Sequence, residues 1–242
     1  MSAVAEDLRL RADYTRAEVV DTTALPWVDS PAPGVQRKLI EREGGEAARA
    51  TSIVRYAPGA RFAAHTHPLG EEILVLAGTF ADEHGVYPAG TYLKNPPGSR
   101  RAPFSDTGCT LLVKLRHLQP DDTERVVVDT ASTPWLPGLV PGLQVKPLSD
   151  FAGEHAALVQ WAPGTVFTPH RHWGGEEIFV LDGVFEDEHG RYPAGTWMRS
   201  PHLSQHHPFS REGCTIFVKV GHVPEAPTHP GAAVQPSAAP SV

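Results

Sequence analysis

The chain has very little cysteine: Cys109 and Cys214 are the two in 242 residues. Two cysteines cannot build a disulfide framework, so a reducing, cytoplasmic setting is expected, with both thiols as small buried strand residues. Basic charge is also scarce. Lys and Arg number 21 against 28 Asp and Glu, and no run of them exceeds two residues. A nucleic-acid surface needs a basic face, so nucleic acid is excluded as a partner, and nothing points to an anionic membrane. The opening residues carry charges throughout and lack an apolar stretch, so neither a secretory signal nor a membrane span is expected. Helical patterning is nearly absent, with Thr15–Asp21 as the one candidate.

Pro and Gly are abundant instead, 24 and 22 residues, about 19 % of the chain against roughly 12 % in average usage. That density breaks long helices and excludes a bundle or coiled coil. Hydrophobic residues make up 40 %, which excludes wholesale disorder. Short apolar runs recur between turn signals, as in a β-sandwich or barrel. Thr51–Tyr56 and Ala156–Trp161 read as strands. Asp82–Gly85 and Asp187–Gly190 read as hairpin loops.

The strongest feature is a duplication. Residues His65–His117 match His170–His222 at a constant offset of 105, with 30 of 53 positions identical. Pro26-Trp27 answers Pro134-Trp135 more weakly, at an offset of 108. A repeat of this length is domain-sized rather than a solenoid unit. The expected organisation is an N-terminal segment over 1–22, a first unit over 23–124 and a second over 125–224. A Pro/Ala-rich tail over 225–242, including His229, is expected to be disordered.

Histidine is the other excess, at 13 residues. His65-Thr66-His67 and His170-Arg171-His172 are H-x-H pairs, and residues i and i+2 of a strand share a face. Glu71 and Glu176 follow four residues later. Imidazole and carboxylate suit Zn, Fe, Mn, Cu or Ni without choosing among them. The adjacent Glu72 and Glu177 should face the other side of their strands as structural groups. His84 and His189 belong to the repeated hairpins, and His117 and His222 end the last strands.

The pattern G-x5-H-x-H-x3-E-x6-G, from Gly59 and again from Gly164, resembles the first cupin motif. Pro88–Gly90 and Pro193–Gly195 resemble the second. EEIFVLDGVFEDEHGRYPAGTW followed by GCTIFVKV is similar to the ChrR-type cupin branch. This resemblance implies an all-β fold of two tandem cupin jelly-roll β-barrels. The general cupin pattern would place a further His at Leu93 and Met198, and neither copy has one. The ChrR-type branch carries that ligand later, which implies His206 in the second copy and finds Arg101 in the first. The second barrel then has a complete set, His170, His172, Glu176 and His206. The first keeps His65, His67 and Glu71 beside a cation that cannot ligate a metal. That first site is expected to be weak, empty or turned to anions, with Arg101 itself read as a solvated loop residue.

One divalent metal per chain is therefore expected, Fe(II) or Zn(II) first, with Mn, Ni or Cu left open. The resemblance implies a dioxygenase cleaving a C–C bond in a small diketone or hydroxyketone. Glu176 and His207 are candidate catalytic groups, and a small organic substrate and O2 are the partners. Trp173, Phe167, Phe179 and Trp197 are candidate pocket walls, and His202 flanks the site. Two alternatives stand beside this: a zinc-binding sensor of the ChrR type, and a metal-assisted isomerase or other non-oxidative enzyme. A sigma-factor partner is disfavoured, because the roughly 25 residues before the first repeat carry no Cys. A homodimer is left open.

Overall fold

The computed structural model describes residues 7–225 and is built from strands and turns throughout, with no helix among the described residues. The tail from 226 onward, including His229, lies outside them. No helix of the described residues is long and apolar enough to cross a membrane. Thr15–Asp21 is not helical. A turn leads into strand Glu18–Asp21, as the β-branched Val19-Val20 pair favours.

Two barrels repeat one plan. In the first, the main sheet runs in the order Arg9–Leu10, Val35–Glu43, Arg49–Tyr56, Cys109–Leu115, Glu71–Asp82, Thr91–Asn95, Val126–Asp129. In the second, the order is Leu136–Pro137, Leu143–Phe151, Glu154–Trp161, Cys214–Val220, Glu176–Asp187, Thr196–Ser200, Glu18–Asp21. The last strand of each sheet comes from the segment leading into the other unit. Glu18–Asp21 pairs with Thr196–Ser200, and Val126–Asp129 pairs with Thr91–Asn95. A division at 124/125 therefore separates Val126–Asp129 from the sheet it joins, and one at 22/23 sets Glu18–Asp21 apart from the second sheet.

The long strands Glu71–Asp82 and Glu176–Asp187 bend from the main sheet into the smaller opposite wall, past a bulge. Gly78 and Gly183 make this bend at φ 71°. A Cβ at either would lie 2.1 Å from the carbonyl oxygen of Gly108 or Gly213, so only glycine fits.

Alternation along these strands separates two burial environments. Ile178 and Val180 fill the second barrel, and Ile73 and Val75 fill the first. The opposite faces pack against each other, with Leu74, Tyr92, Phe179, Trp197 and Phe217 in one core shared by the barrels. Apolar residues on both faces explain why these strands read as near-continuous hydrophobic runs.

The shared core contains a reciprocal ionic pair. Lys114 of the first barrel bonds Glu177 of the second, and Lys219 of the second bonds Glu72 of the first, all four buried. Tyr92 Oη donates to Glu72 Oε1 at 2.7 Å and Trp197 Nε1 donates to Glu177 Oε1 at 2.8 Å. His222 Nε2 lies 3.0 Å from Glu177 Oε2, and the His117 ring sits 5.8 Å from that of His222. Glu72 and Glu177 thus face away from the barrel interiors and clamp the two units together. Cys109 and Cys214 are buried and free.

Candidate metal centre

In the second barrel, strand His170–Arg171 pairs antiparallel with Gln205–His206, setting His170 opposite His206. His172 follows on the same face, and Glu176 opens the long strand beside it. Donor atoms of His170, His172, Glu176 and His206 all lie within 4.8 Å of one another, the single such group among the described residues. Glu176 Oε2 is 3.4 Å from His172 Nε2 and 3.6 Å from His206 Nε2. The imidazole rings stand 4.6 to 4.9 Å apart between centroids.

The ring tautomers are set from behind. His170 Nδ1 lies 3.0 Å from Thr168 O. A carbonyl only accepts, so Nδ1 carries the proton and Nε2 keeps its lone pair. His206 Nδ1 lies 3.5 Å from Asp187 Oδ2, a carboxylate backing of the kind that orients metal-bound imidazoles. Asp187 also accepts from Tyr192 Oη and the His189 amide.

The donor set fits a divalent cation. His172 Nε2 and His206 Nε2 are buried with no hydrogen-bond partner. Burial holds His172 neutral, down to about 3, and raises Glu176 to about 7. A neutral His172 presents a free lone pair, and a buried carboxylate without a cation is costly. An ion bound here would answer all of these groups.

The first barrel repeats the frame and changes the chemistry. Strand His65–His67 pairs with Ser99–Arg101, setting Arg101 opposite His65 as His206 stands opposite His170. Arg101 is not a solvated loop residue. It is buried, with Nε against Glu71 and an amino group 3.6 Å from Asp82 Oδ2. Asn95 Nδ2 donates to Glu71 Oε1 at 3.1 Å. Glu71 thus has a fixed guanidinium where Glu176 has an open donor cluster.

Other expected site residues fall elsewhere. His207 is exposed, its amide donating to Glu188 Oε2 at 2.7 Å, and its side chain is not in the cavity lining. Strand alternation that turns His206 inward turns His207 out, so the catalytic role expected of it has no structural support. His202 Nδ1 accepts from the Gly174 amide at 2.9 Å and stands edge-on to Trp173. Trp173 is 72 % exposed, and Phe179 and Trp197 lie in the core between barrels. Of the four aromatic wall candidates, Phe167 lines the cavity. Asp187 was not foreseen as a partner of His206. Its signal was the repeated D-E-H-G hairpin, whose first residue ends the same strand that Glu176 begins.

A family model described as the ChrR Cupin-like domain matches residues 15–119 and again 123–224. The chain belongs to the ChrR cupin-like family. A search of curated proteins finds no match. Solved cupin-like structures share the fold of this family member along nearly its whole length. A candidate dioxygenase from Nostoc punctiforme aligns at TM-score 0.68 and 17 % identity, over 94 % of this chain and 88 % of that one. A candidate glyoxylate-induced protein from Pseudomonas aeruginosa aligns at TM-score 0.68 and 15 % identity, over 90 % and 95 %. Oxalate decarboxylase from Lactobacillus farciminis, in a formate complex, aligns at 0.59 and 13 % identity, over 90 % of each chain. At these identities the likeness shows the two-barrel cupin fold alone.

Proposed function

We propose that this cupin is a metal-dependent dioxygenase that holds Fe(II) in its second barrel and cleaves a C–C bond in a small diketone or hydroxyketone. The observation that carries the reading is the His170, His172, Glu176 and His206 cluster, of which His170, Glu176 and His206 line a narrow apolar cavity of about 180 Å3. Val159, Phe167, Ile178 and Ile216 form its walls, and its polar lining is His170, Glu176 and His206. Besides the Trp161 indole, such a lining offers little to orient a sugar or a charged metabolite. It suits a compact ketone whose oxygens depend on the metal for recognition.

A bound divalent ion would supply Lewis-acid polarisation of a ketone oxygen and, as iron, electron transfer toward oxygen. The protein supplies the rest. Thr168 O and Asp187 fix the outer nitrogens of His170 and His206, so both rings keep one orientation. The apolar walls exclude water from the reacting carbon. Glu176 would help hold the ion, and its carboxylate, lining the cavity, is the group available to take up a C–H proton. The candidate dioxygenase of Nostoc shares this fold, which supports the reading by analogy alone.

A second reading has one observation in its favour. Four protein donors also match a closed structural zinc site, as a non-enzymatic sensor would need. Anaerobic reconstitution with Fe(II), followed by oxygen-electrode assays across small diketones and hydroxyketones, separates the two. Oxygen uptake matched to substrate loss, and absent in His206→Ala, is expected of the dioxygenase. No uptake with any of them, together with tight zinc retention, would favour the sensor.

A further inference from the structure

Of the two barrel cavities, the larger is in the barrel that lacks the four-donor cluster. It measures about 730 Å3, against about 180 Å3 in the second barrel. That volume lies within the usual range for small-molecule sites. Val54, Ile73, Phe80 and Leu111 give it an apolar wall. Its charged lining is mostly cationic, with Arg37, Arg61, Arg101 and Arg116 against Glu46 and Glu71. No arginine lines the second cavity.

Three of the four arginines are already paired. Arg37 meets Glu46 at 2.8 Å, Arg61 meets Asp106 at 2.7 Å, and Arg101 is held by Glu71 and Asp82. Arg116 is half-buried and has no carboxylate within ion-pair distance among the described residues. Its backbone is left-handed, at φ 59°, where its twin Gly221 has φ 83°. An arginine that lines the cavity without a counter-ion, at a left-handed position where its twin is glycine, leaves a cationic group available to a ligand. Arg101 meanwhile holds Glu71 in an ion pair, so the first cavity carries its charge without a metal.

We propose that the first barrel is a metal-independent binding site for a small organic carboxylate. Arg116 pairs with the carboxylate, and the Val54, Ile73 and Leu111 wall takes an apolar body. The site is separate from the metal centre and does not depend on the function assigned there.

Isothermal titration of the full chain with benzoate and hexanoate, each beside its neutral amide, tests this. One site per chain is expected, with the acid bound about 10- to 100-fold more tightly than the amide, the range for a charge-assisted pair. Arg116→Gly installs the residue that the twin position already carries, and should erase the preference without lowering the melting temperature. Arg116→Gln should do the same should the glycine variant prove unstable. Arg116→Lys should retain part of the preference. His206→Ala should leave it intact. The proposal is overturned by acid and amide binding equally, by no binding at millimolar concentration, by a preference that survives both neutral variants, or by its loss in His206→Ala.

Discussion

Arg101 holds Glu71 in the first barrel from the ladder position that His206 occupies beside Glu176 in the second. One residue type at one register position separates a barrel with a built-in cation from a barrel that can take up a metal. The charge of the guanidinium and its contact with Glu71 both work against a cation there.

Arg101→His should therefore open a second metal site. His65, His67 and Glu71 would stand with a fourth imidazole, backed by Asp82 as His206 is by Asp187. Metal titration followed by elemental analysis should show a second ion per chain in this variant. An unchanged metal content would mean that more than Arg101 disables the first site.

Asp187 should matter to the metal although it does not point at it. Its carboxylate backs His206 Nδ1 at 3.5 Å. Asp187→Asn keeps the size and removes the charge, and should weaken metal affinity about 10- to 100-fold. Competition with a chromogenic chelator measures this, and equal affinity would remove Asp187 from the account.

The repeat and the donors His170, His172 and Glu176 were legible from offset and spacing, because strand alternation translates H-x-H directly into geometry, whereas the cupin barrels and His206 came only from the family resemblance. The burial of Arg101 was not legible. An arginine in a loop-like P-P-G-S-R-R stretch reads as solvated, and only its pairing opposite His65 shows that it is buried. The exchanged strands Glu18–Asp21 and Val126–Asp129 were equally hidden, since each partner lies on the far unit and local pattern carries no pairing information. Phe179 and Trp197 were read toward the pocket because sequence does not say which of two buried faces encloses the site. Asp187 was hidden by its hairpin, whose turn bonds gave a sufficient reason for it.

The ionic clamp between barrels gives a stability prediction. Lys114→Met leaves the buried Glu177 carboxylate without its ammonium and should destabilise the protein by about 3–5 kcal/mol. Adding Glu177→Gln should recover much of the loss. Urea unfolding of the single and double variants tests this, and additive losses would show that the two side chains do not act as a pair.

Acid should loosen the same interface in two stages. His117 and His222 are buried and held below their ordinary value of 6.5, chiefly by burial. The unfolded chain thus binds protons that the folded chain refuses, and stability is full above pH 6.5 and falls below it. Burial would raise Glu72 and Glu177, but Lys219 and Lys114 outweigh it and hold both below the ordinary 4.5. Their contribution is present above pH 4.5 and lost as pH falls further. Each histidine should add a slope of about 1.4 kcal/mol per pH unit below 6.5. His222→Gln should flatten the urea-midpoint profile between pH 6.5 and 5, and an unchanged profile would contradict this assignment.

On the proposed function, the second barrel holds a metal and the first has Arg101 in its place. Elemental analysis of protein purified without added metal tests it most directly, alongside His206→Ala and His67→Ala. One divalent ion per chain is expected, lost in His206→Ala and retained in His67→Ala. Two ions per chain, or an ion that leaves with His67 rather than His206, would contradict it.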